Sequence, residues 1–324
     1  MAEFRTPVAP LCYVGTLSHT TPLLLLGSCF AANIGAKLEK DFFDVTLNPF
    51  GTLYNPASID AACERIAEGR LFTEDDITER DGLLHSWDCH SSLSSSLSDR
   101  KSFLGTLNGM LSDLRKKIAL VDTAILTFGT RHVFRLKESR RVVANCHKFP
   151  AATFIEEDLD VEQCTAMISS AIGHLRQMNP NMRVILTVSP VRYVGEGLHN
   201  STLSKSTLLL ACDAVCNSCN KTIYFPSYEI LMDDLRDYRF YATDMKHPSE
   251  VAVDYIYEIF SKSFFDKRTM EIANRCRRLA ARFNHRPITG AKDEAFAIKN
   301  KELAADIAAE FPEISTRINK IITQ

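Results

Sequence analysis

Five short apolar runs, each closing on small or turn-forming residues and separated from the next by a helical pattern, restrict this chain to few folds. They are residues 23–26 before "GSCF", 45–47 before "NPFG", 124–127 before "FGT", 184–188 before "SP" and 222–225 before "PSYE". Runs that are apolar throughout, rather than alternating, are buried on both faces, as in a parallel sheet covered by helices. Between them Phe103, Leu107, Leu111, Leu114 and Ile118 recur near the helical period. Met167, Ile168, Ala171, Ile172 and Leu175 do the same, and a third helix from 201 to about 220 opens with Ser/Thr caps. The pattern predicts a doubly wound α/β fold. Such folds bind ligands beyond the carboxyl ends of their strands, where the small residues fall here, although βα loops are rich in Gly, Pro and Asn whatever they do.

The chain divides into two parts on this reading. Residues 1–265 carry the α/β pattern, and 266–324 form a helical C-terminal extension. In the extension Ile272, Cys276, Leu279 and Phe283 make an apolar stripe flanked by Arg275, Arg277, Arg278 and Arg282, the pattern of a docked helix with a solvated basic face. The polar stretch at 90–100, "HSSLSSSLSDR", reads as a long loop or lid.

With 38 Lys and Arg against 40 Asp and Glu, the formal charge of −2 makes no case for binding nucleic acid or an anionic membrane. No apolar run approaches the roughly 18–20 residues of a membrane span, and the first thirty residues lack the pattern of a signal peptide. The ten cysteines are scattered, several in apolar helical settings (Cys63, Cys164, Cys212, Cys276). This suits reduced core thiols in a cytoplasmic protein and supplies no metal-site spacing. Neither metal nor cofactor is expected.

Two stretches carry chemistry. At 27–30, "GSCF", a buried strand gives way to a helix; this is either a tight turn with no further purpose or a device that lifts a nucleophile, Ser28, to the sheet edge. At 241–249, "YATDMKHPS", Asp244 and His247 stand three apart before a helix with Val251, Ile256, Ile259 and Phe260 facing inward. One turn of loop there lets the carboxylate take the imidazole Nδ1–H while Nε2 points outward, the arrangement a serine hydroxyl needs in order to attack. Cys29 reads as a small buried neighbour, and Lys205 as a residue of a helix start. The charged stretch 233–241 reads as a brace for the acid/base loop through ion pairs of Arg236 or Arg239.

The blocks "GSCFAANIG", "NPFGTLYNPASI", "TFGT", "VANCHKFP", "SPVR", "SKSTLLLA", "YFPSYEI", "DDLRDYRFYATDMKHPS" and "HRP", in this order over roughly residues 22 to 287, resemble the GSCFA domain family, named for its pentapeptide, here Gly27–Ala31. That family is placed in the SGNH/GDSL hydrolase superfamily. The resemblance implies a flavodoxin-like three-layer α/β/α sandwich with a mainly parallel five-stranded sheet, and esterase or deacylase chemistry. It implies Ser28 as nucleophile, Asp244 as orienting acid and His247 as general base. The oxyanion would be received by the backbone N–H of Ser28 and of Gly51, with Thr130 a replacement for a side-chain donor. Where the superfamily has an Asn this chain has Arg131, and His132, Asn48 or Asn145 are other replacements.

Further residues fall near the expected pocket. His85, Trp87 and His90 in "HSWDCH" either line it, with Trp87 stacking on a sugar ring, or anchor a surface loop. Asn145 and His147 in "NCHK" are given a pocket role by the same resemblance. The expected partner is a small-molecule or glycan ester, such as an O-acetyl group on a glycoconjugate. An acyltransferase using the same triad, or a non-catalytic binding protein on this fold, are the other readings. The oligomeric state is not legible.

Overall fold

The computed structural model describes residues 5–96, 99–284 and 294–322; the "HRP" block at 285–287 lies outside them. Five parallel strands form the central sheet: β1 (Leu23–Gly27), β2 (Val45–Leu47), β3 (Thr123–Phe128), β4 (Arg183–Val188) and β5 (Thr222–Tyr224), in the order β5-β4-β3-β1-β2. Strand order reverses between β1 and β3, so the crevice that such a sheet offers a ligand opens at the carboxyl ends of those two strands. Leu23 pairs with Thr123 and Gly27 with Thr127 in register.

Alternation along β1 divides the core. Leu24 and Leu26 point to one face and join helices α2 (Pro56–Glu68), α3 (Arg100–Ile118), α4 (Val161–Met178) and α5 (Leu198–Ser218). Leu23 and Leu25 point to the other and meet α1 (Cys29–Lys40) and α6 (Glu250–Phe264). The result is a three-layer α/β/α sandwich. Helix starts follow local chemistry: Asn55 accepts the Ser58 N–H at 2.8 Å ahead of Pro56, Asp99 caps α3, and Asp160 with Gln163 forms a capping box on α4. The expected faces of α3 and α4 are the buried ones. In α6 the inward residues are Ala252, Val253, Ile256, Ile259 and Phe260; Val251, expected inward, is 66% exposed because its helical phase places it on the solvent side with Asp254 and Glu258.

Helices α7 (Lys267–Asn284), α8 (Glu294–Glu310) and α9 (Pro312–Ile322) share a cluster built from Ile272, Cys276, Leu279, Ile307, Ile314 and Ile318, to which Phe42 after α1 also contributes. Arg277 reaches the buried Asp41 with its Nε at 3.1 Å and an Nη at 2.5 Å, while Arg275 pairs with Glu310. No helix among the described residues is long and apolar enough to cross a membrane.

The described residues of the 90–100 stretch form a loop fastened to its neighbours. Residues 91–93 make a turn of 3₁₀ helix, Ser95 bridges to Leu84, and Asp99 caps α3; residues 97–98 lie outside the description. Beside it the fully buried Arg65 donates to Asp76 (3.1 Å), Asp88 (2.5 Å) and the carbonyls of Arg70 and Leu71, with its guanidinium over Phe72. Burial pushes the Asp76 carboxyl up, but the Thr73 N–H, Arg65 and Arg141 outweigh it and hold it below the usual range. Arg65→Met strips this cluster of its central cation. The expected loss is about 3 kcal/mol of unfolding free energy, measured by urea denaturation, since a broken buried pair leaves charge uncompensated.

Candidate active site

Gly27 ends β1 with φ +147°, a value suited to glycine, and a Cβ there would lie 2.3 Å from the Thr127 carbonyl oxygen. The strands therefore approach closely, and Ser28 follows as the N-cap of α1. The residue is 2% exposed, and its Oγ has no hydrogen-bond partner among the described residues. Across the crevice Asp244 and His247 form one compact turn: Nδ1 of His247 lies 2.6 Å from Asp244 Oδ2, and Asp244 Oδ1 accepts the N–H groups of Lys246 and His247, each at 3.0 Å. The His247 N–H, its imidazole and the Lys246 N–H together hold the Asp244 carboxyl far below its usual range, so it stays ionised as a partner for imidazolium.

The acid/base loop is not braced by Arg236 or Arg239, neither of which makes an ion pair among the described residues. Backbone bonds do that work: Ala242 N–H to His247 O and Ser249 N–H to Phe240 O, both 2.8 Å. Arg192 N–H to Lys246 O, 3.2 Å, fastens the loop to the segment after β4.

Ser28 and His247 line one cavity of about 630 Å³, with Thr130, His132, Asn145 and His147 in its walls. No hydrogen bond joins Ser28 to His247. The walls that carry His132, Asn145 and His147 come from a small antiparallel sheet, Val142–Val143 with His132–Leu136 and Phe154–Asp158, and the loop after it.

Other expected residues sit elsewhere. Gly51 is not at the cavity: its N–H closes a turn onto Asn48 O at 2.7 Å, and a Cβ there would meet His90 at 2.6 Å. Asn48 spends its Oδ1 on the Gly27 N–H at 2.9 Å, pinning the "NPFG" loop to the strand end. Trp87 is buried with Val143 and Phe154 in an aromatic cluster against His147 and Phe149. His90 caps the 3₁₀ turn by accepting the Ser92 N–H. Trp87 and His90 are therefore scaffold, drawn away by apolar packing and local capping.

The expected oxyanion donors at Ser28 and Thr130 are also engaged. Ser28 N–H donates to Thr127 O (3.1 Å) and Thr130 N–H to Tyr54 O (3.0 Å), while the Thr130 hydroxyl is shared between Ser204 and the His132 N–H. Arg131, which the resemblance sets where an Asn is expected, turns to Asp158 and Thr207. Sequence reasoning passes over Asn55, which lines the cavity, uses Oδ1 as the α2 cap and keeps its Nδ2 donors. The signal was the Asn-Pro pair at a helix start, which fixes where such a side chain sits.

The buried Lys205 beneath the floor and the half-buried Cys29 in the wall complete the surroundings. Lys205 lies inside α5 and not at its start; its Nζ donates to Gly129 O at 2.6 Å and Ser189 O at 2.7 Å, tying together the loops after β3 and β4. Burial, with Arg192 nearby, lowers its pKa to about 7. Burial likewise pushes the Cys29 thiol up, which suits a neutral wall residue better than a thiolate.

His147 and His19 are buried neutral imidazoles. Burial lowers each from 6.5 to about 4, while His147 bonds Ser86 O and His19 bonds Asp41 O. The unfolded chain thus takes up protons at pH values where the native fold does not. Their contribution is full above 6.5 and drains as pH falls toward 4, by about 3 kcal/mol for each ring at most. Urea midpoints taken at pH 7, 5.5 and 4 should fall steadily, and His19→Gln should flatten the slope.

The GSCFA family model matches residues 22–260. The chain belongs to the GSCFA family. Among proteins of curated function none matches this GSCFA chain. A solved structure, the Clostridium thermocellum family 3 carbohydrate esterase, is similar with a TM-score of 0.34 at 10% identity, over 78% of this chain and 97% of that one. A likeness at that level carries no argument about the chemistry of this GSCFA protein.

Proposed function

We propose that this GSCFA protein is a serine hydrolase of the SGNH type that cleaves a small O-acyl ester, such as an O-acetyl group on a glycan or glycoconjugate. The observation that carries the reading is the pairing within one cavity of an unpartnered, buried Ser28 Oγ with an imidazole already held by a carboxylate. With an ester seated, His247 Nε2 takes the Ser28 proton as Oγ attacks the carbonyl carbon. Asp244 stabilises the imidazolium, and the same proton leaves on the departing alcohol. Water, activated by His247 in turn, releases the acid. Cys29 and Phe30 begin α1, where first-turn amides and the helix dipole favour negative charge, and Asn55 Nδ2 is the side-chain donor in place of the superfamily's Asn.

A fluorophosphonate probe tests this directly. Labelling of the wild type that vanishes in Ser28→Ala supports the nucleophile, and a wild type that stays unlabelled and inert toward short-chain nitrophenyl esters leaves a binding protein on this fold.

A further inference from the structure

The cavity shared by Ser28 and His247 is cationic in a chain whose formal charge is −2. Its described lining residues include no Asp or Glu, whereas Lys148, Arg192 and Lys246 all reach it. None of the three has a carboxylate at ion-pair distance among the described residues. Arg192 is half-buried and held only by neutral groups, its Nε 3.4 Å from Ser201 Oγ and an Nη 3.2 Å from Thr202 Oγ1. The carboxylates nearest the cavity are engaged with other partners: Asp244 is hydrogen-bonded to His247, and Asp158 pairs with Arg131 at 3.2 Å and lies 2.8 Å from the His132 ring, with Glu156 3.5 Å from the same ring. Asp233 and Asp237 line an adjoining depression that Arg192 and Arg236 also border. Beneath the floor Lys205 adds a further buried amine. Cations gathered without counter-charge repel one another, and a bound anion relieves that repulsion.

From this arrangement we infer that the ester taken by this site carries an anionic group, a carboxylate or a phosphate, that binds against Arg192. The inference rests on the hydrolase reading for the word ester, but the anion preference can be read without turnover. Planar guanidinium suits both oxyanions, so the chemistry is common to acidic sugars and to phosphorylated alcohols.

Two matched pairs of acetate esters separate the sources: acetylated glucuronate against acetylated methyl glucoside, and acetylglycerol phosphate against monoacetylglycerol. The expected result is at least about tenfold higher kcat/KM for the anionic member of one pair, carried by KM, shrinking in 0.5 M salt and collapsing toward unity in Arg192→Met. Equal kcat/KM within both pairs overturns the inference. If no ester is turned over, the hydrolase reading fails by itself, and binding of glucuronate and glycerol phosphate to the Ser28→Ala protein, against methyl glucoside and glycerol, decides this one. Salt-sensitive binding of an anion that Arg192→Met weakens at least about tenfold supports it; indifference to charge overturns it.

Discussion

Ser28→Ala is expected to lower kcat/KM for an activated acetate ester by about 10⁴-fold or more, with a residual rate equal to that of the Ser28→Ala/His247→Ala double variant. The reason is the division of labour in the cavity. A hydroxyl is too weak an acid to attack unaided, and an imidazole without a nucleophile to deprotonate has nothing to accelerate, so the two losses are not additive. Asp244→Asn is expected to cost about 10³–10⁴-fold, because the amide can no longer hold Nδ1–H in the correct tautomer or balance the imidazolium. Steady-state kinetics on the three variants, with circular dichroism to show that each is folded, is the measurement. A Ser28→Ala protein that retains most of its esterase rate removes the mechanism, whatever the cavity looks like.

Gly27→Ala is expected to do comparable damage by another route. The added methyl would sit 2.3 Å from the Thr127 carbonyl oxygen and 2.8 Å from Thr127 Cβ, while φ at +147° is strained for any residue with a Cβ. The obstacle is backbone on the paired strand, which cannot swing aside like a side chain. β1 and β3 must separate locally, and with them the Ser28 N–H to Thr127 O bond that sets the serine at the sheet edge. Overpacking and backbone strain together predict a loss of about 3 kcal/mol or more in stability and a larger proportional loss of probe labelling. Gly105→Ala in α3 is the control, since a Cβ there meets nothing within 4 Å and should be neutral or stabilising. Equal thermal midpoints for Gly27→Ala and wild type would mean that the tight strand spacing is not what places Ser28.

Much of the fold was legible before any coordinates. Residues 23–26 and 184–186 are apolar without alternation and buried throughout, and they lie in two of the five parallel strands because a doubly covered sheet buries such runs. The turn at Asp244–His247 was legible too, because a carboxylate and an imidazole three positions apart need only local chain to meet. Gly51, Trp87 and His90 show where that kind of reading stops. Each belongs to a loop whose residue types suit a pocket, yet Gly51 closes its own turn, Trp87 is claimed by aromatic neighbours, and His90 caps a 3₁₀ turn. Val251 marks a smaller limit: it is apolar, but its phase along the helix sets it with the exposed Asp254 and Glu258, away from the packed layer.

By itself the sequence determined the layering, the place of Ser28 at a strand-to-helix turn, and the local grip of Asp244 on His247, since strand period, helix capping and one-turn hydrogen bonds depend only on near neighbours along the chain. The tertiary structure alone decided that Ser28 and His247 share a cavity, that Asn55 and not Gly51 borders it, and that Lys148, Arg192 and Lys246 converge there with no carboxylate at ion-pair distance among the described residues. The physical reason is that a group's availability is set by whatever packs against it, and for these residues the competing donors, acceptors and charges arrive from distant parts of the chain.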